Sequence, residues 1–285
     1  MTPLPADLPV VILAGGLGTR LRTVLADRPK GLAPIGSRPF LEIQIELLRA
    51  QGARRFVLCV GHLAEHVERT LGDGRRLGVR IDYSCEGDRL LGTAGALKRA
   101  DRFFRPDALV LNGDTYFALD YGRLVERHRT ARRRSGVLAT IALARAPDAT
   151  RYGSVTLDSS GSYIVGFAEK QLSVVSCQLS VDSCKSAVAE SDNRQPTTDN
   201  FPEAAWLNAG AYVVEREMLD QLAPDQPCSL EREAFPDVLR CGGRIAALTS
   251  DEPFFDIGTP DGLETFAAFY AGLSGTRHPP HRMTA

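Results

Sequence analysis

Glycines and cationic side chains crowd into one short stretch of this chain, VVILAGGLGTRLRTVLADRPK at residues 10–30. An apolar run ends at Leu13 and Ala14, and Gly15, Gly16 and Gly18 follow at once. Glycines let a backbone approach a phosphate closely. Arg20, Arg22, Arg28 and Lys30 then supply the positive charge that phosphate oxygens attract. Spacing tests two familiar phosphate loops. A dinucleotide loop wants its third glycine where Leu21 stands, and a P-loop wants a lysine directly after its last glycine. Neither fits, and no acid sits where a dinucleotide ribose needs one, so a nicotinamide-dependent oxidoreductase is disfavoured. The stretch reads as a phosphate site of a third kind or as an ordinary strand-to-helix turn with solvated arginines.

The rest of the chain must position that loop. It has 285 residues, 44% hydrophobic and 24% charged, as expected of a soluble globular protein. The net charge of −1 gives no global reason to expect nucleic acid or an anionic membrane as partner. The basic cluster is therefore local and suits a small anionic ligand. No run of ~18 apolar residues is present, and the N-terminus lacks a leader pattern, so a cytosolic protein is expected. The six cysteines show neither C-x-x-C pairs nor zinc spacing and read as reduced thiols.

Strand-like and helix-like stretches alternate. Val10–Ala14, Arg55–Val60, Arg80–Cys85, Ala108–Leu111 and Val137–Ala144 read as strands, and Phe40–Ala50, Ala64–Leu71, Thr93–Phe104 and Tyr121–Arg133 as helices. This pattern predicts an α/β fold: a Rossmann-like mixed, mostly parallel sheet with helices on both faces. Ligands of such sheets bind at the carboxyl ends of strands, where the glycine loop falls. Later come a hairpin around Ser159–Gly161, strands in AGAYVV and RIAALT, and a closing helix over Pro260–Leu273. Residues 171–177 and 178–184 read QLSVVSC and QLSVDSC. Residues 171–203 therefore read as an exposed loop expanded by a tandem heptapeptide repeat, inside one domain spanning 1–285.

The segment LAGGLGTRLRTVLADRPKGLAPIGSRPFLE resembles the signature of the sugar-1-phosphate nucleotidyltransferases. The resemblance continues in order through LGTAGAL, LNGD, RYGSV, FAEK, LNAGAYV and FFDIGTP, ending at residue 260. Each block is weak alone, but their ordered set is specific. Within the family, LVLNGDTYFALDY and KGLAPI look most like the D-glycero-α-D-manno-heptose 1-phosphate guanylyltransferases. Mannose-1-phosphate guanylyltransferases and the uridylyl and thymidylyl enzymes follow closely. The resemblance implies a glycosyltransferase-A-like nucleotidyltransferase fold, with residues 1–135 mainly serving the nucleotide and 136–285 mainly the sugar phosphate. Many members have Pro-Leu-Thr where this chain has Thr23, Val24 and Leu25.

In the implied reaction, a sugar-phosphate oxygen attacks the α-phosphorus of a nucleoside triphosphate and pyrophosphate leaves. Both reactants are anions, so their repulsion must be screened and the reacting atoms held in line. Mg²⁺ on carboxylates suits that task, with Asp114 and Asp256 as the expected ligands. By resemblance, Arg20 stabilises charge on the α-phosphoryl group or pyrophosphate, Lys30 meets the triphosphate, and Lys170 meets the phosphate of the sugar. Leu13, Ala14, Gly15, Gly16, Gly18, Thr19, Gly92 and Thr93 complete the expected nucleotide site. Asn112, Gly153, Glu169, Asn208 and Gly210 belong to the sugar side. Glu86 is the candidate reader of the base, with Asp88 as the alternative. A carboxylate accepts both neighbouring donors of guanine, which favours GTP. Homo-oligomers are compatible with all of this.

Overall fold

The computed structural model describes residues 1–16, 28–87, 89–146, 154–168 and 205–275. The tandem repeat, Gly18, Thr19, Arg20, Asp88, Gly153, Glu169 and Lys170 lie outside these residues, as do the expectations attached to them.

In chain order the elements are β1 (Pro9–Leu13), β2 (Pro34–Ile35), β3 (Arg38–Pro39), α1 (Phe40–Ala50), β4 (Arg55–Val60), α2 (Ala64–Leu71) and β5 (Arg80–Cys85). There follow α3 (Gly92–Arg99), β6 (Asp107–Asn112), β7 (Thr115–Phe117), α4 (Tyr121–Ser135), β8 (Ala139–Ala146), β9 (Ser154–Leu157) and β10 (Tyr163–Ala168). The chain closes with β11 (Ala205–Glu215), α5 (Arg216–Asp220), α6 (Phe235–Arg240), β12 (Ile245–Ser250), β13 (Phe254–Asp256) and α7 (Pro260–Gly275).

A nine-stranded sheet runs in the order β5-β4-β1-β6-β11-β8-β12-β10-β9. Its first four strands are parallel. β1, β4 and β6 are apolar on nearly every residue because both faces are covered, whereas β5, at the sheet edge, is mixed. In β1, Val10 and Ile12 enter the core shared with α1, α2 and α4, whereas Val11 enters the one shared with α3, α5 and α6. Fully burying such a side chain is worth about 1.5–3 kcal/mol, so β1 is fixed at the centre of the sheet. Antiparallel pairing enters with β11, which lies between β6 and β8. The sheet is therefore mixed, with its parallel block in the N-terminal half and one further parallel pair between β8 and β12.

The expected helix over Thr93–Phe104 is shorter. It stops at Arg99, and a 3-10 turn over Asp101–Phe103 follows. The physical reason is Phe104, which turns into the core and is extended there. In the same core, Phe235 fastens α6 to the sheet. It is fully buried and tilts against the Tyr212 ring at 5.4 Å. Phe235→Ala is expected to cost about 3–5 kcal/mol, read as a lower urea midpoint with an unchanged slope.

Candidate functional site

The carboxyl ends of β1, β4 and β6 converge, as a parallel block requires. The Leu13 carbonyl accepts Gly113 N–H at 2.9 Å, and Ala14 N–H donates to the Cys59 carbonyl at 2.8 Å. The backbone after β1 is thus clamped between its two neighbours. A cleft of about 230 Å³ opens beside it. Leu13, Ala14, Gly15 and Gly16 line it, together with Lys30, Glu86, Gly92, Thr93, Asn112 and Asp114. Every described residue expected at the nucleotide is therefore in one cleft. Leu90 and Ala96 line it too and were not anticipated. Leu90 is an exposed leucine in the loop before α3, beside the buried Leu91.

At one end stands Glu86, buried although it is a carboxylate. Its Oε2 accepts Leu91 N–H at 2.7 Å. Its Oε1 faces Gly15, where a Cβ would collide with it. Burial pushes the Glu86 carboxyl above the ordinary glutamate range, against the opposing pull of Leu91 N–H and Arg99. Gly15→Ala is expected to displace this carboxylate and raise the KM for the nucleotide roughly tenfold, the cost of one charged hydrogen bond. Steady-state kinetics beside an unchanged far-UV spectrum would check it.

At the other end a cation lies among carboxylates. Lys30 and Asp114 form an ion pair with the lysine largely shielded from solvent. Asp256 arrives from the far end of the sequence because β13 pairs antiparallel with β7, setting Asp256 opposite Thr115. Ile257 N–H then donates to the Asp114 carbonyl at 3.0 Å. A Cβ on Gly258 would strike both Lys30 Nζ and Asp256 Oδ1, so ammonium and carboxylate face each other there. The structure brings Asp114, Asp256 and Lys30 together.

Asn112 meets the LNAGAYV segment through β11. Gly210 lies against its amide with φ +67, and the β11–β8 register shifts between Asn208 and Tyr212. A side chain at Gly210 would meet both a left-handed backbone and Asn112 Nδ2 at 2.6 Å. Asn208 Oδ1 accepts Gly210 N–H at 3.0 Å, and the Asn208 side chain also hydrogen-bonds the Tyr212 hydroxyl.

Thr93 departs from a simple ligand role. Its hydroxyl accepts Leu230 N–H at 2.7 Å and donates to Glu231 at 3.1 Å. Glu231 also accepts Tyr212 Oη–H at 3.0 Å. This acid, on a π-helical turn over Leu230–Ala234, ties the start of α3 to β11. No local sequence signal marks it, since the pairing joins residues distant in the chain. Among the described residues no group of three or more His, Cys, Asp or Glu is arranged to hold a metal. No described helix is long and apolar enough to cross a membrane.

Comparison with known proteins adds an independent line. The profile of the nucleotidyl transferase family matches residues 9–272. A D-glycero-alpha-D-manno-heptose 1-phosphate guanylyltransferase of Campylobacter jejuni is 30% identical over 88% of this chain and 95% of its own length. A UTP–glucose-1-phosphate uridylyltransferase of Synechocystis is 33% identical over 88% of this chain, which spans only 60% of that protein. A crystal structure of HddC from Yersinia pseudotuberculosis complexed with GMP-PN superposes with a TM-score of 0.71 at 27% identity, over 92% of this chain and 99% of the other.

Proposed function

The chain belongs to the nucleotidyl transferase family, and we propose that it transfers a guanylyl group from GTP to a sugar 1-phosphate of the heptose or mannose type. The products are a GDP-sugar and pyrophosphate. The observation that carries the choice of base is the Glu86 carboxylate held in the cleft, with one oxygen fixed by Leu91 and the other facing Gly15. Guanine presents N1–H and the 2-amino group side by side, and one carboxylate accepts both. Uracil and thymine present a single N3–H. The GMP-PN in the Yersinia relative supports the same reading. Uridylyl transfer is the second reading, favoured by the higher identity of the Synechocystis protein.

An anionic oxygen of the sugar 1-phosphate attacks the α-phosphorus. The bond from that phosphorus to the bridging oxygen breaks, and pyrophosphate leaves with the electron pair. No proton need be removed from the attacking oxygen. The catalytic contribution is then charge and alignment. Lys30 is assigned to the triphosphate, which would compete with Asp114 for its ammonium. By family resemblance Arg20 is assigned to the α-phosphoryl group or pyrophosphate and Lys170 to the phosphate of the sugar. Glu169, Asn208 and Gly153 are assigned to the sugar. Residues 1–135 then serve mainly the nucleotide and residues 136–285 mainly the sugar phosphate, in the cytosol.

Magnesium fits the residues present. Two carboxylates converge on a point that already holds an ammonium, and Mg²⁺ favours one or two carboxylates completed by substrate phosphates. Asp114 and Asp256 would hold it. When bound it screens the triphosphate and polarises the phosphoryl oxygens.

The test is a pyrophosphate-release matrix of ATP, GTP, CTP, UTP and dTTP against heptose, mannose, glucose and N-acetylglucosamine 1-phosphates. GTP with heptose or mannose 1-phosphate is the expected best pair. A preference for UTP or dTTP overturns the guanylyl assignment and leaves the family intact.

A further inference from the structure

One buried amide outside the cleft bears on its acidic end. Gln44 sits in α1 and is 1% exposed. Its Nε2 donates to the Asn112 carbonyl at 2.9 Å and to the Thr115 carbonyl at 3.0 Å. These carbonyls flank the Gly113–Asp114 step. Two acceptors on one side fix the amide orientation, because a flipped amide would set oxygen against oxygen. The grip has a counterpart two turns further along the same face. Gln51, at the end of α1, donates to the Leu119 carbonyl at 2.9 Å and accepts Tyr121 N–H at 2.9 Å. Leu41, on the same helix, packs where a Cβ on Gly31 would fall, at 2.7 Å, and so backs the residue after Lys30.

We infer that Gln44 is a positioning residue: it clamps the turn that carries Asp114 and so sets the aim of that carboxylate towards Asp256. This rests on the reading of the two aspartates as the Mg²⁺ pair. The turn is held by few other bonds. Gly113 N–H reaches Leu13 and the Asp114 carbonyl receives Ile257, but neither spans the step from Asn112 to Thr115. An amide side chain bridging both ends supplies that restraint. Residues that orient metal ligands cost roughly 10- to 100-fold in metal affinity when replaced.

The experiment titrates Mn²⁺ onto the full chain saturated with the non-hydrolysable guanosine α,β-methylene triphosphate, whose phosphates complete the site, and follows the protein-bound ion by electron paramagnetic resonance against the analogue alone. Wild type is compared with Gln44→Met, Gln44→Asn, Gln51→Met and Asp114→Asn. Gln44→Asn keeps the amide but shortens its reach, and so tests the same clamp if Gln44→Met folds poorly. Both Gln44 variants are expected to bind Mn²⁺ roughly 10- to 100-fold more weakly. Their half-maximal Mg²⁺ concentration in turnover should rise in step. Gln51→Met, also buried in a clamp at the end of the same helix, should lose stability without losing Mn²⁺ affinity. Wild-type Mn²⁺ affinity in the Gln44 variants beside a loss in Asp114→Asn overturns the positioning role, and so does an equal loss in Gln51→Met. Unchanged binding in Asp114→Asn, or no binding by wild type, overturns the metal reading itself.

Discussion

Asp114→Asn and Asp256→Asn are each expected to lower kcat by roughly 10²- to 10⁴-fold, the several kcal/mol that metal-assisted charge stabilisation supplies. The loss should fall on kcat more than on either KM, because the screened charge develops in the transition state. Folding should survive. Asp114 is about one-third exposed, with a side-chain accessibility of 33%, so its pairing with Lys30 is partly screened by solvent. Asp256 Oδ1 accepts Gly258 N–H at 2.7 Å, and an asparagine oxygen can keep that bond. Thermal midpoints within a few degrees of wild type are therefore expected. Single-turnover rates over a Mg²⁺ series would measure the effect, and near-normal turnover in both variants would remove these aspartates from the mechanism.

Glu86→Gln is expected to reduce kcat/KM for GTP roughly tenfold or more, since a neutral amide replaces a charged acceptor and offers one oxygen instead of two. ITP lacks the 2-amino donor, so the substitution should cost it less, and the ratio of GTP to ITP should narrow in the variant. That narrowing separates base reading from a general loosening of the cleft, which would weaken both nucleotides alike. Acidity gives a second handle. Burial lifts the Glu86 carboxyl above its ordinary range. Protonation removes the acceptor, so the KM for GTP should climb as pH falls through that raised value, and the climb should vanish in Glu86→Gln. An unchanged GTP-to-ITP ratio would move base recognition elsewhere in the cleft.

By itself the sequence determined the local elements and the family. Phe40–Ala50, Arg55–Val60, Ala64–Leu71 and Arg80–Cys85 form their expected elements at the expected residues. Their apolar periods are strong, and Gly52, Gly72 and Gly78 punctuate them with backbone only glycine adopts readily. The ordered glycine, proline-lysine and aspartate blocks were equally legible, because each is a run of contiguous residues. Tertiary structure alone decided the rest. The eleven residues of β11 join β6 and β8 across the sheet, a pairing no local period encodes. The three-residue strands β7 and β13 are too short to announce themselves, yet they set Asp256 beside the turn of Asp114. Glu231 and Gln44 read as ordinary helix formers until their partners arrive from distant segments. Hydrophobic periodicity reports which face of an element is buried. Which side chain closes a turn, and which carboxylate meets which, depends on the packing of faces far apart in the chain.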